Sequence, residues 1–178
     1  MSPIQILFQN LLYDISQFAI AFDRVDDAFL LKPQRWNAKD MLPFAFVNGP
    51  ISSIFDLTTF AILGIGFGVF ANPTEHNVNM FNSGWFIEGL LTQTLVVQMF
   101  RTEKIPFIQS RATWPVNVMA IFICMTGLVL PYTYLGNQMN MVGPPPIYIP
   151  IVLGIVASYC LLSQIIKMGY IKVFKTWL

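Results

Sequence analysis

Three acidic side chains sit in otherwise apolar stretches of this chain: Asp14, Asp56 and Glu88. Each belongs to a polar stripe at helical spacing. Asn10, Asp14 and Gln17 recur at i, i+4, i+7; Asn48, Ser52, Asp56 and Thr59 recur at i, i+4, i+8, i+11; Glu88 and Thr92 recur at i, i+4. Residues three and four apart share one face of a helix. A charge inside a membrane span costs roughly 2.5–3.5 kcal/mol on insertion scales, so an ionisable residue there is a functional hypothesis by default. Three oxygen-rich faces can together surround a hard cation, because Mg²⁺ and Ca²⁺ take oxygen ligands and Mg²⁺ keeps several waters with few carboxylates. No His lies in these stretches, and neither Cys124 nor Cys160 has a partner in sequence, which disfavours soft metals.

Each of these signals has a plainer reading. Intramembrane Asn, Gln, Ser and Thr often only link helices, for ~0.6 kcal/mol on average. Gln93, Gln98, Asn117 and Gln164 fit that role. Asp56 also fits a structural acceptor, and Glu88 lies close enough to the outer end of its segment to reach the interface. His76, beside Glu75, reads as a solvated side chain rather than a metal contact.

The elements that must hold these faces are apolar helices. The chain is 55% hydrophobic and 11% charged, with a mean hydropathy of +0.60, whereas soluble domains carry about 25% charged residues. A net charge of +1 suggests no nucleic-acid partner. Five apolar segments are legible, at about residues 3–22, 44–70, 84–100, 115–134 and 147–166. Crossing the hydrocarbon core takes roughly 20 helical residues. The third segment is short and borrows its first turn from residues after Asn79; the second is long, with a kink point at Gly49-Pro50.

All ten Lys and Arg fall in three places: Arg24, Lys32, Arg35 and Lys39 after the first segment, Arg101, Lys104 and Arg111 after the third, and Lys167, Lys172 and Lys175 in the tail. With five spans these places share one side, which the positive-inside rule makes cytoplasmic. The expectation is an all-α, polytopic membrane helix bundle. It forms one transmembrane domain over residues 1–178, with five transmembrane helices, the N-terminus outside and the C-terminus cytoplasmic. Trp36, Trp85, Trp114 and Trp177 stand at segment ends, as interfacial anchors do.

The connecting residues add detail. Residues 22–43 carry both signs of charge and suit a short amphipathic helix at the inner surface, and Pro144-Pro145-Pro146 makes a stiff stop before the last segment. Gly64, Gly66 and Gly68 mark a small-residue face, with Gly64 and Gly68 at i, i+4. The start of the chain has no positive n-region or cleavage site of a secretory signal. About ten strongly apolar residues in the first segment supply roughly −3 to −6 kcal/mol toward insertion. Asp14 takes back half or more, and Asn10, Gln9, Gln17 and Ser16 take more. Such a helix expects earlier neighbours, as an internal segment of a longer chain would have.

The longer strings are more specific. QNLLYDISQ, FDRVDDAFLLKPQRW, GPISSIFDLTTF and SGWFIEGLLTQTLVVQMFRTEKIPFIQSRAT occur in order. Together they resemble the C-terminal membrane region of bacterial magnesium-transporting P-type ATPases of the importing type. The resemblance runs along nearly the whole chain, and it implies helices six to ten of a ten-helix pump in the bacterial inner membrane, embedded in the lipid bilayer. On that pattern Asn10 and Asp14 match the paired Asn and Asp of the sixth helix and would ligate the transported Mg²⁺. Glu88 falls in the eighth helix, where related pumps can place a carboxylate, and Asp56 in the seventh, which is less often a ligand helix.

The departure from that family is large. The chain has no DKTGT phosphorylation motif and no P-loop, and it lacks the first five helices and the nucleotide-binding, phosphorylation and actuator domains. Phosphoryl transfer needs an Asp nucleophile, Mg²⁺ and phosphate-binding groups. ATP would therefore act only in those other domains, and this chain alone is expected not to hydrolyse it. Its partners would be the remaining helices and soluble domains of the pump. The alternatives are a small stand-alone cation channel or carrier, or a membrane remnant that only packs against other helices.

Overall fold

A computed structural model describes residues 1–24, 38–102, 104–106 and 110–174. Its helices are α1 (Pro3–Phe18), α2 (Ala38–Ala61), α3 (Glu75–Phe100), α4 (Trp114–Val129), α5 (Tyr134–Gln138) and α6 (Tyr148–Phe174). No strand is formed among the described residues. Three helical stretches are long and apolar enough to cross a membrane: Pro43–Gly66, Trp114–Tyr132 and Tyr148–Lys172. By contrast, α1 has only 16 residues before a 3-10 turn at Ala19–Phe22, and α3 carries Asn, Ser, Glu, Thr and Gln along its 26 residues.

Local chemistry sets the ends. Ser2 caps α1 reciprocally: its Oγ accepts from the Gln5 N–H at 3.4 Å, and its own N–H donates to Gln5 Oε1 at 3.0 Å. Pro3 occupies the first turn, where the missing N–H costs nothing. Thr74 caps α3 by accepting from the Asn77 N–H, so α3 begins at Glu75, well before the polar-to-apolar change at Gly84. Pro145 starts the turn into α6, its carbonyl accepting from the Tyr148 N–H at 2.8 Å.

The long second helix runs on through Pro43 and Pro50 and loosens into a π-helical turn at Ile62–Gly66. Gly68 then takes φ 70°, a left-handed conformation that favours glycine, and the Phe70 N–H bonds back to the Gly64 carbonyl at 3.0 Å. Gly64 and Gly68 therefore do not line one helical face. The Phe70 ring folds over Gly64 so closely that a Cβ there would overlap it.

The bundle is organised around α3. One face of α3 meets α1 and α4 through Leu12, Phe86, Leu90, Ile123 and Leu130. The other meets α2 and α6 through Leu63, Ile87, Leu91, Tyr148, Val152 and Val156. Burial on two opposed sides explains why α3 has no single apolar stripe. In lipid such contacts are held by close packing and hydrogen bonds rather than by escape from water. Of the stretch 22–43 expected to hold an amphipathic helix, residues 25–37, with Trp36, lie outside the described residues, as does Trp177.

Candidate functional site

The α1 helix has two polar faces, not one. Gln5, Gln9, Leu12 and Ser16 are buried at i, i+4, i+7, i+11. Gln5 Nε2 donates to the Met139 carbonyl at 3.0 Å, and Gln9 Nε2 reaches Gln93 Oε1 at 3.4 Å. Gln9 lies against Gly89, where a Cβ would stand 2.7 Å from its Nε2, so the glycine admits the amide between α1 and α3. These glutamines pin α1 to the bundle.

Asn10 and Asp14 lie on a different side of α1. Both are exposed, as are Leu7, Leu11 and Phe18 around them. Neither side chain takes part in a hydrogen bond or ion pair with the described residues. The i, i+4 spacing does bring the amide and the carboxylate to one face, and that face points away from α3 and α4. Gln17, the third member of the stripe, is half-buried and donates to Ser16 Oγ at 3.4 Å.

Asp56 and Glu88 come together elsewhere. Glu88 is fully buried midway along α3, and the Asp56 carboxyl approaches it from α2. Because α3 starts at Glu75, Glu88 lies in mid-helix rather than near the helix end. Thr92 turns its hydroxyl to its own helix, donating to the Glu88 and Gly89 carbonyls at 2.9 and 3.1 Å. Tyr148 and Tyr159 face the carboxyl pair from α6, and the Tyr148 hydroxyl donates to the Gly84 carbonyl at 2.9 Å. Asn48, Ser52 and Thr59 continue the inward stripe of α2, with Thr59 wholly buried.

The acids thus fall into two places, the exposed Asn10–Asp14 face of α1 and the pair of half-buried Asp56 and buried Glu88 between α2, α3 and α6. Among the described residues no three His, Cys, Asp or Glu side chains converge as a metal cage. His76 is exposed in the first turn of α3, and Cys124 and Cys160 are free thiols packed against one core cluster.

Two functional-looking residues escaped the sequence reading. Lys167 belongs by position to the basic tail, yet its ammonium is buried under the end of α3, donating to the carbonyls of Met99 (2.9 Å), Thr102 (3.1 Å) and Lys104 (2.9 Å). The last carbonyls of a helix lack partners within it, and a cation there is favoured by the helix dipole. The signal was its place in the buried register of α6, four residues after Ser163 and eight after Tyr159. Asp23, beyond the first apolar segment, pairs with Arg101 at 2.6 Å and accepts from the Thr113 N–H at 3.0 Å. Nothing in local spacing marks a contact between residues 78 apart in sequence.

Comparison with known proteins places this arrangement. Residues 1–169 match the family described as cation transporting ATPase, C-terminus. The chain is 45% identical over 170 residues to the magnesium-transporting ATPase, P-type 1, of Escherichia coli K12, a match covering 96% of this chain and 19% of that protein. It is 48% identical over 177 residues to the protein of the same description from Salmonella typhimurium LT2, covering 99% of this chain and 19% of the relative. The chain spans about a fifth of the length of the curated relatives it matches. With its helical bundle, its apolar helices able to cross a membrane and its polar residues within them, the chain belongs to the C-terminal family of cation-transporting P-type ATPases.

Proposed function

We propose that this chain is the C-terminal membrane portion of a magnesium-transporting P-type ATPase and that Asn10 and Asp14 face its ion pathway. Five helices cross the bilayer in this reading, with the N-terminus outside and all three basic places cytoplasmic. The observation that carries it is the exposure of Asn10 and Asp14 on a face of α1 turned from the bundle. A charge facing lipid at mid-bilayer costs roughly 2.5–3.5 kcal/mol, so this face calls for other helices and water rather than acyl chains. The printed descriptions of the relatives supply the ion, and the oxygen-only chemistry of Asn10 and Asp14 suits it. Mg²⁺ retains several waters, so one amide oxygen and one carboxylate are a reasonable share of its shell. The remaining ligands, and the ATP-driven phosphoryl transfer that powers the cycle, belong to other parts of the pump.

The experiment is an immunoblot of host membranes with an antibody raised to residues 167–178. A band several times larger than 20.2 kDa is expected. A sole band near 20.2 kDa overturns the pump reading and leaves a self-assembled channel or a packing remnant.

A further inference from the structure

Glu88, fully buried, and Asp56, half-buried, put two carboxyls side by side between α2 and α3. Both Glu88 oxygens are buried with no hydrogen-bond partner among the described residues, and so is the Thr59 hydroxyl, one turn from Asp56 on the same side of α2. The groups facing the pair are Tyr148 and Tyr159 of α6. Cys160 adjoins Tyr159, and Cys124 of α4 packs against the same core. From α1, Gln9 abuts the neighbouring Gly89 but reaches toward Gln93. No described Lys or Arg contacts either carboxyl. The buried ammonium of Lys167 is bound to carbonyls from Met99 onward, about 16 Å along α3 from Glu88 at 1.5 Å per residue.

Two neighbouring carboxylates, one of them wholly buried with no donor to either oxygen, disfavour ionising together. A metal ion would relieve them only with a fuller shell, and Mg²⁺ brings waters that need space. On the same helix as Glu88, Ile87 and Leu91 enter an apolar cluster with Leu63, Val152 and Val156, and the polar groups facing the pair are the Tyr148 and Tyr159 hydroxyls rather than further carboxylates or amides. The geometry points to a proton-binding site: Asp56 and Glu88 hold one proton between them near neutral pH, one carboxyl as acid and the other as acceptor, apart from the Asn10–Asp14 face. The pair then carries one negative charge instead of two. This site goes beyond the pump reading and does not depend on which cation the pump carries.

The test is infrared spectroscopy of the purified full-length pump in lipid nanodiscs at neutral pH. The expected result is a protonated-carboxyl C=O band that shifts in D₂O and is lost or displaced in both Glu88→Gln and Asp56→Asn. Should the amide variants fail to insert, Glu88→Asp keeps both carboxyls and is expected to keep a displaced band. Bands identical in wild type and variants overturn the proposal. So does a wild-type band abolished by added Mg²⁺ with release of a proton, which makes the pair a metal site. Failure of Asp14-dependent transport leaves this band untouched, so the two readings fail separately.

Discussion

Arg101 holds Nη1 2.6 Å from Oδ2 of Asp23, joining the exit of α1 to the end of α3. The other Asp23 oxygen accepts from the Thr113 N–H at 3.0 Å, and Arg101 Nη2 reaches the Ser110 carbonyl at 2.9 Å. Burial alone would raise the Asp23 carboxyl, but the Thr113 N–H and the Arg101 guanidinium outweigh it and hold the group below its ordinary range. A carboxylate with a depressed pKa contributes stability above its unfolded value, about 3.9, and loses it as pH falls through the lower folded value. Asp23→Ala is expected to cost about 1.5–3 kcal/mol at neutral pH, the range for hydrogen bonds to charged groups. The gap should narrow progressively below about pH 4. Thermal unfolding in detergent across that range checks this; a gap that stays constant with pH contradicts it.

Lys167 makes a second link between helices. Lys167→Met keeps much of the stem and removes the donor from the carbonyls of Met99, Thr102 and Lys104. A buried polar group left unsatisfied costs about 1–3 kcal/mol, so the loss should be at least of that order. A lowered unfolding midpoint in detergent is the expected result. A midpoint equal to that of the parent would show that water or another side chain replaces the ammonium at no cost.

Orientation can be read by labelling. In a Cys124→Ser, Cys160→Ser background, single cysteines at His76 and Asn137 should react with a membrane-impermeant maleimide in intact cells. Cysteines at Arg24 and Lys104 should react only after the membrane is opened. All four positions are exposed on the described bundle. The reverse pattern, or mixed labelling within either pair, contradicts five spans with the N-terminus outside.

Helical class and polar spacing were legible because both are local. The i, i+4 rule brought Asn10 and Asp14 to one face without any structure. It could not say which way that face turns, since the rotation of α1 is set by Gln5 and Gln9, whose partners Met139 and Gln93 are remote in sequence. The meeting of Asp56 with Glu88 was hidden for the same reason. Composition also leaves the helix start unmarked: apolar content begins near Gly84, with a first turn borrowed from residues after Asn79, whereas the Thr74 cap begins the helix α3 at Glu75 and puts Glu88 in mid-helix. The Gly64–Gly68 spacing misled because periodicity presumes a helix, and the chain leaves the helix at Gly68.

The most direct measurement is ATP-driven Mg²⁺ uptake into proteoliposomes by a full-length pump carrying Asp14→Asn. The substitution keeps side-chain size and removes a charge that costs roughly 2.5–3.5 kcal/mol in lipid, so insertion and thermal stability should not fall. Uptake should drop at least about tenfold, equivalent to ~1.4 kcal/mol or more of lost ion stabilisation. Undiminished uptake by a properly inserted Asp14→Asn pump would remove Asp14 from the ion pathway and contradict the account.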